Sequence, residues 1–166
     1  MAKNSARKLA TNRRKQWQQI LQTNVVPTAT DYHKLYRIVL DTNIWYSAIL
    51  YGGSPENVIR IALNNCQLIT SIYIINEIKT NLKIGAKAPY RWLNLLEKHL
   101  IRNSTVIEIE TFPPIVRDPQ DDPIIATAIQ GQCDYLVTGD NDLLSLKSID
   151  FLEIITVNQF LDIMNT

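Results

Sequence analysis

Five short apolar runs recur along the compact part of the chain, and segments with helical patterning separate them. The runs are "YRIVLDTN", "CQLITS", "STVIEIE", "DYLVTG" and "LEIITV". Each has the length of a strand buried on both faces. The helices between them carry recognisable stops and starts. "IWYSAIL" halts at Gly52-Gly53. "SPENVIRIAL" starts with Ser54 as N-cap, Pro55 at the first helical position and Glu56 near the positive end of the dipole. Ser71 caps "IYIINEIKTNL", and Pro89 opens "YRWLNLLEKHLI". Asp122-Pro123 starts "IIATAIQG", which stops at Gly131. "NDLLSL" is a short helix, and Asn158 caps a last one, "QFLDIM". Strands alternating with helices predict an α/β domain whose parallel sheet is covered on both faces. Such sheets bind ligands beyond the carboxyl ends of their strands, where the strand order reverses.

A chain of 166 residues fits one domain with a short appendage. The net charge is only +1, but it is unevenly spread. Six bases, among them Arg7, Lys8, Arg13, Arg14 and Lys15, precede the first acid, Asp31; from there on, sixteen acids face eleven bases. The chain therefore divides into a basic N-terminal extension, residues 1–36, and an acidic domain, residues 37–166. Within the extension, "ARKLATNRRKQWQQILQTN" has weak helical patterning, and "VVPTATDYH" reads as a linker. No apolar run approaches the length that crosses a bilayer, and the basic start lacks the apolar segment of a secretory signal. Cys66 and Cys133 lie beside apolar stretches without a second cysteine at metal spacing. They read as buried thiols in a reducing compartment. The expectation is a cytoplasmic protein with no membrane partner.

The acids fall in telling places. Asp41 ends the first strand, and Asp140 follows the fourth behind Thr138-Gly139. Asp122 stands at the entrance of the helix after the third strand, and Glu77 in the helix after the second. If strands one and four are neighbours, Asp41 and Asp140 face each other, and Glu77 and Asp122 reach the same space. Clustered carboxylates raise one another's pKa and oppose folding unless a cation joins them. Mg²⁺ and Mn²⁺ favour such oxygen ligands and support phosphoryl chemistry. Each acid also has a structural role open to it: Asp122 as a cap, Asp41 in a turn, Asp142 capping the short helix, Glu77 as a solvated charge. Asp118 and Asp121 flank a turn around Pro119. Nucleophile elbows, Walker loops and dinucleotide glycine patterns are absent from the sequence.

"IVLDTNIW", "SIYIINEI", "DDPIIATAI" and "YLVTGDNDLL", in this order, resemble the PIN domain, in particular the VapC-like toxins of toxin–antitoxin systems. The likeness runs from Arg37 to about Met164. It implies a five-stranded parallel sheet of order 3-2-1-4-5 flanked by helices, and a Mg²⁺- or Mn²⁺-dependent endoribonuclease. It also implies that Asp41, Glu77, Asp122 and Asp140 are the catalytic and metal-binding quartet. Asn43 and Thr138 match polar positions lining the site, and Asp142 an accessory acid. RNA as substrate, a cognate antitoxin and a homodimer are the partners implied.

The basic extension lies outside the likeness. Arg7, Lys8, Arg13, Arg14 and Lys15 are candidates for sequence-independent attraction of RNA phosphates. Packing as an extra helix, dimerisation and an organelle address remain open for the same segment. A different class of function competes with the nuclease: an acidic-pocket α/β module, receiver-like or a silent PIN domain, that binds a cation and a protein or RNA partner without cutting. A structure-specific DNA nuclease is a further rival, although the chain lacks large insertions for threading DNA. Trp45, Tyr46, Tyr51, Tyr90 and Trp92 are expected mostly in the core, with some left for a partner face.

Overall fold

The computed structural model describes residues 2–22, 35–111, 114, 119 and 121–165, with side chains from residue 11 onward. The "VVPTATDYH" linker, Asp31, Asp118 and the side chains of Arg7 and Lys8 lie outside the described residues.

β1 (Arg37–Leu40) is the centre of the sheet. Its Ile38, Val39 and Leu40 are buried in succession, as expected of a strand covered on both faces. It pairs in parallel with β2 (Gln67–Ser71) on one side and β4 (Tyr135–Val137) on the other. β3 (Thr105–Ile107) extends the sheet beyond β2, and β6 (Leu152–Ile155) beyond β4. The order is β3-β2-β1-β4-β6-β5. With β6 as the fifth parallel strand, this is the expected 3-2-1-4-5 arrangement. The additional strand, β5 (Ser148–Ile149), is antiparallel to β6 and forms a hairpin edge. Lys147 and Asp150, both at positive φ, bracket it. Two residues are too short for any alternation to show in the sequence.

The helices are α1 (Ala2–Gln22), α2 (Thr42–Tyr51), α3 (Ser54–Asn65), α4 (Ile72–Gly85), α5 (Tyr90–Asn103), α6 (Asp122–Gln130), α7 (Asn141–Ser145) and α8 (Val157–Met164). Several starts differ from the sequence reading by a residue or two. Gly53, not Ser54, is the N-cap of α3. Gly52 and Gly53 turn the chain at φ 75° and 69°, a conformation that a Cβ disfavours. Thr156 rather than Asn158 caps α8, through a reciprocal capping box with Gln159. Ser71 caps α4 as expected, accepting from the Ile74 amide at 3.4 Å.

The basic extension packs as a helix. Trp17 and Leu21 of α1 enter the same hydrophobic core as the sheet, against α2 and α5. Arg13 pairs with Glu56 and donates to the Ala48 carbonyl at 2.9 Å. Arg14 donates to the Ala86 carbonyl at 2.9 Å, while its own carbonyl accepts from Trp92 Nε1 at 3.1 Å. Two of the arginines considered as RNA contacts are thus engaged in holding α1 to the domain. Lys15 remains exposed. Among the aromatic residues, Trp45 and Trp92 are core, Tyr46 is half-buried, and Tyr51 and Tyr90 are 71% and 74% exposed.

Candidate functional site

The strand order reverses between β1 and β4, and their carboxyl ends open onto one edge of the sheet. Asp41 follows directly on β1 and is only 4% exposed. Its amide donates to the Val137 carbonyl at the end of β4, at 3.0 Å. The two strand ends are thereby fixed to each other. Thr138, fully buried one residue further on, donates from Oγ1 to Asp41 Oδ2 at 2.5 Å. Thr42 Oγ1 donates to the other oxygen, Oδ1, at 3.2 Å. Burial pushes the Asp41 pKa up; these two hydroxyls and the first amides of α2, at Asn43 and Thr42, oppose that rise.

Glu77 reaches the same space from α4. Ile74, Ile75, Ile78 and Leu82 bury one side of that helix and leave Glu77 half-buried over the sheet edge. Its pKa is pushed up to about 7, first by burial, then by the charges of Asp41 and Asp121, with the Thr42 hydroxyl acting the other way. Among the described residues, Glu77 Oε2 is buried and has no hydrogen-bond partner, and neither has Asn43 Oδ1. α6 is set beside α4 by the Thr127 hydroxyl, which donates to Ser71 Oγ at 2.9 Å and lies 2.7 Å from the Pro123 carbonyl. Asp122 occupies the first turn of α6 and is 5% exposed.

Asp140 is tied to Asp41 through Thr138, whose Oγ1 accepts from the Asp140 amide at 2.9 Å. Its carboxylate caps α7, accepting from the Asp142 amide at 2.7 Å. Asp142, for which capping was the structural alternative to a role as accessory acid, lies inside the helix and is exposed. Asn43 stands opposite Gly139, where an added Cβ would lie 3.8 Å from its Nδ2. Asp41, Glu77, Thr138, Asp140 and Asn43 are thus linked around one strand crossing. The acid whose charge reaches Glu77 from α6 is Asp121, which the sequence reading treated as a turn former. Its place at the N-cap of α6, the end nearest the carboxyl edge, was the signal that could have marked it.

Among the described residues no three His, Cys, Asp or Glu side chains converge closely enough to enclose a metal ion by themselves. The donor chemistry still fits a hard divalent cation. The set consists of oxygens, burial and then the charges of Asp41 and Asp121 raise the Glu77 pKa, and two buried oxygens lack partners among the described residues. Mg²⁺ in particular keeps several waters and uses one or two carboxylates rather than a full protein cage.

Acids gathered at the switch point of a parallel α/β sheet occupy the place where such sheets bind ligands. The family model for the PIN domain matches residues 37–142, and the chain belongs to the PIN-domain family. The match starts at the first residue of β1 and ends at Asp142 in α7, so α1, β5, β6 and α8 lie outside it. PIN domains are in general nucleases and typically use divalent metal ions. No curated protein matches the chain. Among the described residues no helix is long and apolar enough to cross a membrane.

Proposed function

We propose that this protein is an endoribonuclease dependent on Mg²⁺ or Mn²⁺, acting as the toxin of a toxin–antitoxin pair. The observation that carries the nuclease reading is the field in which Glu77 sits: half-buried, beside Asp41 and Asp121, with one buried oxygen unpartnered among the described residues. A fold keeps such an arrangement at the cost of stability, and a bound cation removes the cost.

Asp41, Glu77, Asp122 and Asp140 are the residues that would hold the cation, with Asp121 adding charge beside Glu77. When bound, a divalent ion neutralises charge on the phosphoryl oxygens and lowers the pKa of water. The remaining work belongs to the chain. Thr138 and Thr42 fix the two oxygens of Asp41, so its orientation does not depend on the ligand. Glu77, whose Oε2 has no hydrogen-bond partner among the described residues, would offer that oxygen to the ion, and the proton of the attacking water would pass to solvent. Water oxygen bonds to phosphorus as the bond to the 3′ oxygen breaks, and that oxygen leaves with a proton. The products carry 5′-phosphate and 3′-hydroxyl ends. RNA is the substrate, and the antitoxin is a protein that covers this edge of the sheet. The exposed Tyr51 and Tyr90 offer surface for it or for a second copy of the chain.

The test is cleavage of a mixed RNA pool with Mg²⁺, Mn²⁺ or EDTA, comparing wild type with Asp41→Asn and Glu77→Gln. Cutting that needs the cation and disappears in both variants supports the reading. Cation binding without cutting, in an RNA pool that includes structured and unstructured species, favours the non-catalytic module instead.

A further inference from the structure

The carboxylate edge does not end at Glu77. α4 presents Glu77, Asn81 and Gly85 at four-residue intervals, and residues so spaced share one face of a helix. α2, packed against α4, answers with Thr42, Asn43 and Tyr46. Between the two helices lies a cavity of about 330 Å³ lined by Thr42, Asn43, Tyr46, Asn81, Ile84 and Gly85. Thr42 and Asn43 belong to the carboxylate site, so the cavity is a continuation of it.

Resting on the nuclease reading above, we propose that this cavity is a nucleobase subsite, which holds one base of single-stranded RNA beside the phosphate to be cut. Its volume is at the lower end of the range for small-ligand sites. Its wall combines the chemistry that reads a base: two carboxamides, Asn43 and Asn81, each with both donors and acceptor, and a tyrosine ring. Asn43 Oδ1 is buried with no hydrogen-bond partner among the described residues. Asn81 is exposed and belongs to no part of the core.

The far end of the cavity is shaped by close approach. A Cβ on Gly85 would lie 2.3 Å from the Tyr46 hydroxyl oxygen. Glycine there lets the tyrosine hydroxyl close against the end of α4, and a Cβ at that position drives the ring out of place. The next residue, Ala86, accepts from Arg14, and beyond it the exposed Lys15 and Arg91 line a second cleft between α1 and α5. A polyanion leaving the cavity in that direction meets positive charge. This complementarity favours a nucleic-acid strand over a segment of a protein partner as the occupant.

The probes are 5′-fluorescein heptanucleotides of A, C and U, titrated by fluorescence anisotropy against full-length Asp41→Asn protein, which does not cut them. Asn81→Ala and Gly85→Ala are compared in that background, and wild-type cleavage of the RNA pool is followed in parallel. The parent is expected to rank the three oligonucleotides. Asn81→Ala should weaken the preferred one about tenfold and bring the three within about twofold of one another. Gly85→Ala should do the same by displacing Tyr46. Affinities and ranking unchanged in both variants overturn the subsite, and metal-dependent cutting by wild type would then leave the nuclease reading standing. Pocket-dependent binding without any cutting keeps the subsite and removes the nuclease. A parent that binds none of the three overturns the subsite and leaves the cavity to a protein partner.

Discussion

Thr138 Oγ1 donates to Asp41 Oδ2 at 2.5 Å, across 97 residues of sequence and across the point where the sheet reverses its order. The same hydroxyl accepts from the Asp140 amide. One buried side chain therefore orients one acid and places the loop that carries another. Thr138→Val keeps the shape and removes both bonds, stranding a buried carboxylate oxygen and an amide. Equilibrium urea unfolding should show a loss of about 1–3 kcal/mol. RNA cleavage should fall by about 10–100-fold, because the carboxylates lose their alignment. A variant with wild-type stability would show that the hydroxyl is not a structural member of the site.

Glu77 gives the pH dependence a definite sign. Its pKa rises from 4.5 to about 7 on folding, so between these values the folded state binds more protons than the unfolded one. Without metal, its contribution to stability is greatest below pH 4.5, falls as the pH rises to 7, and is flat above. Asp41, also raised, acts in the same direction. His99, buried with a pKa lowered chiefly by burial, acts oppositely and loses stability as the pH falls. The difference between wild type and Glu77→Gln isolates the Glu77 contribution. In EDTA, the melting temperature of Glu77→Gln relative to wild type should climb between pH 5 and pH 7.5. A difference that stays constant over that range would mean that Glu77 titrates normally.

The central elements were legible because their signals are local. An apolar run ending in Asp41, the Ser71 cap and the Pro123 start each carry their own chemistry, and the 3-2-1-4-5 order came with the family resemblance. What escaped the sequence depended on distant partners. β5 exists only because β6 offers it an edge, and its two residues carry no period. The arginines of α1 looked like a free basic patch until Glu56, Ala48 and Ala86 supplied acceptors for Arg13 and Arg14. That the charge of Asp121 also reaches Glu77 depends on how the chain enters α6, which no pattern in "DPQDDP" fixes. The polar face running from Glu77 through Asn81 to Gly85 was visible in the spacing, but only the packing of α2 showed that it lines a cavity.

α1 lies outside the family match yet supplies part of the core. Trp17 is 1% exposed between α2 and α5. Trp17→Ala should cost about 3–5 kcal/mol in urea unfolding, the usual effect of emptying a buried aromatic site. Arg13→Ala should cost less, since its partner Glu56 also pairs with Arg60. An unaffected Trp17→Ala protein would mean that α1 is a detachable arm, and would return Arg13 and Arg14 to the surface available for RNA.

Asp41 should show the opposition between stability and function most directly. In the metal-free protein, burial disfavours the Asp41 charge, and that charge together with the charge of Asp121 acts on Glu77. Asp41→Asn removes that charge and keeps an oxygen to accept from Thr138. Its melting temperature in EDTA should therefore exceed that of wild type. Adding Mn²⁺ reverses the ranking. At a hundredfold excess over its Kd the ion stabilises wild type by about 2.7 kcal/mol, roughly 5–10 °C for a chain of this size, and leaves Asp41→Asn almost unmoved. Calorimetry of both proteins with and without the ion measures the crossover. Parallel shifts in the two proteins would place the cation elsewhere, and no shift in either would leave the acidic crossing without its ligand.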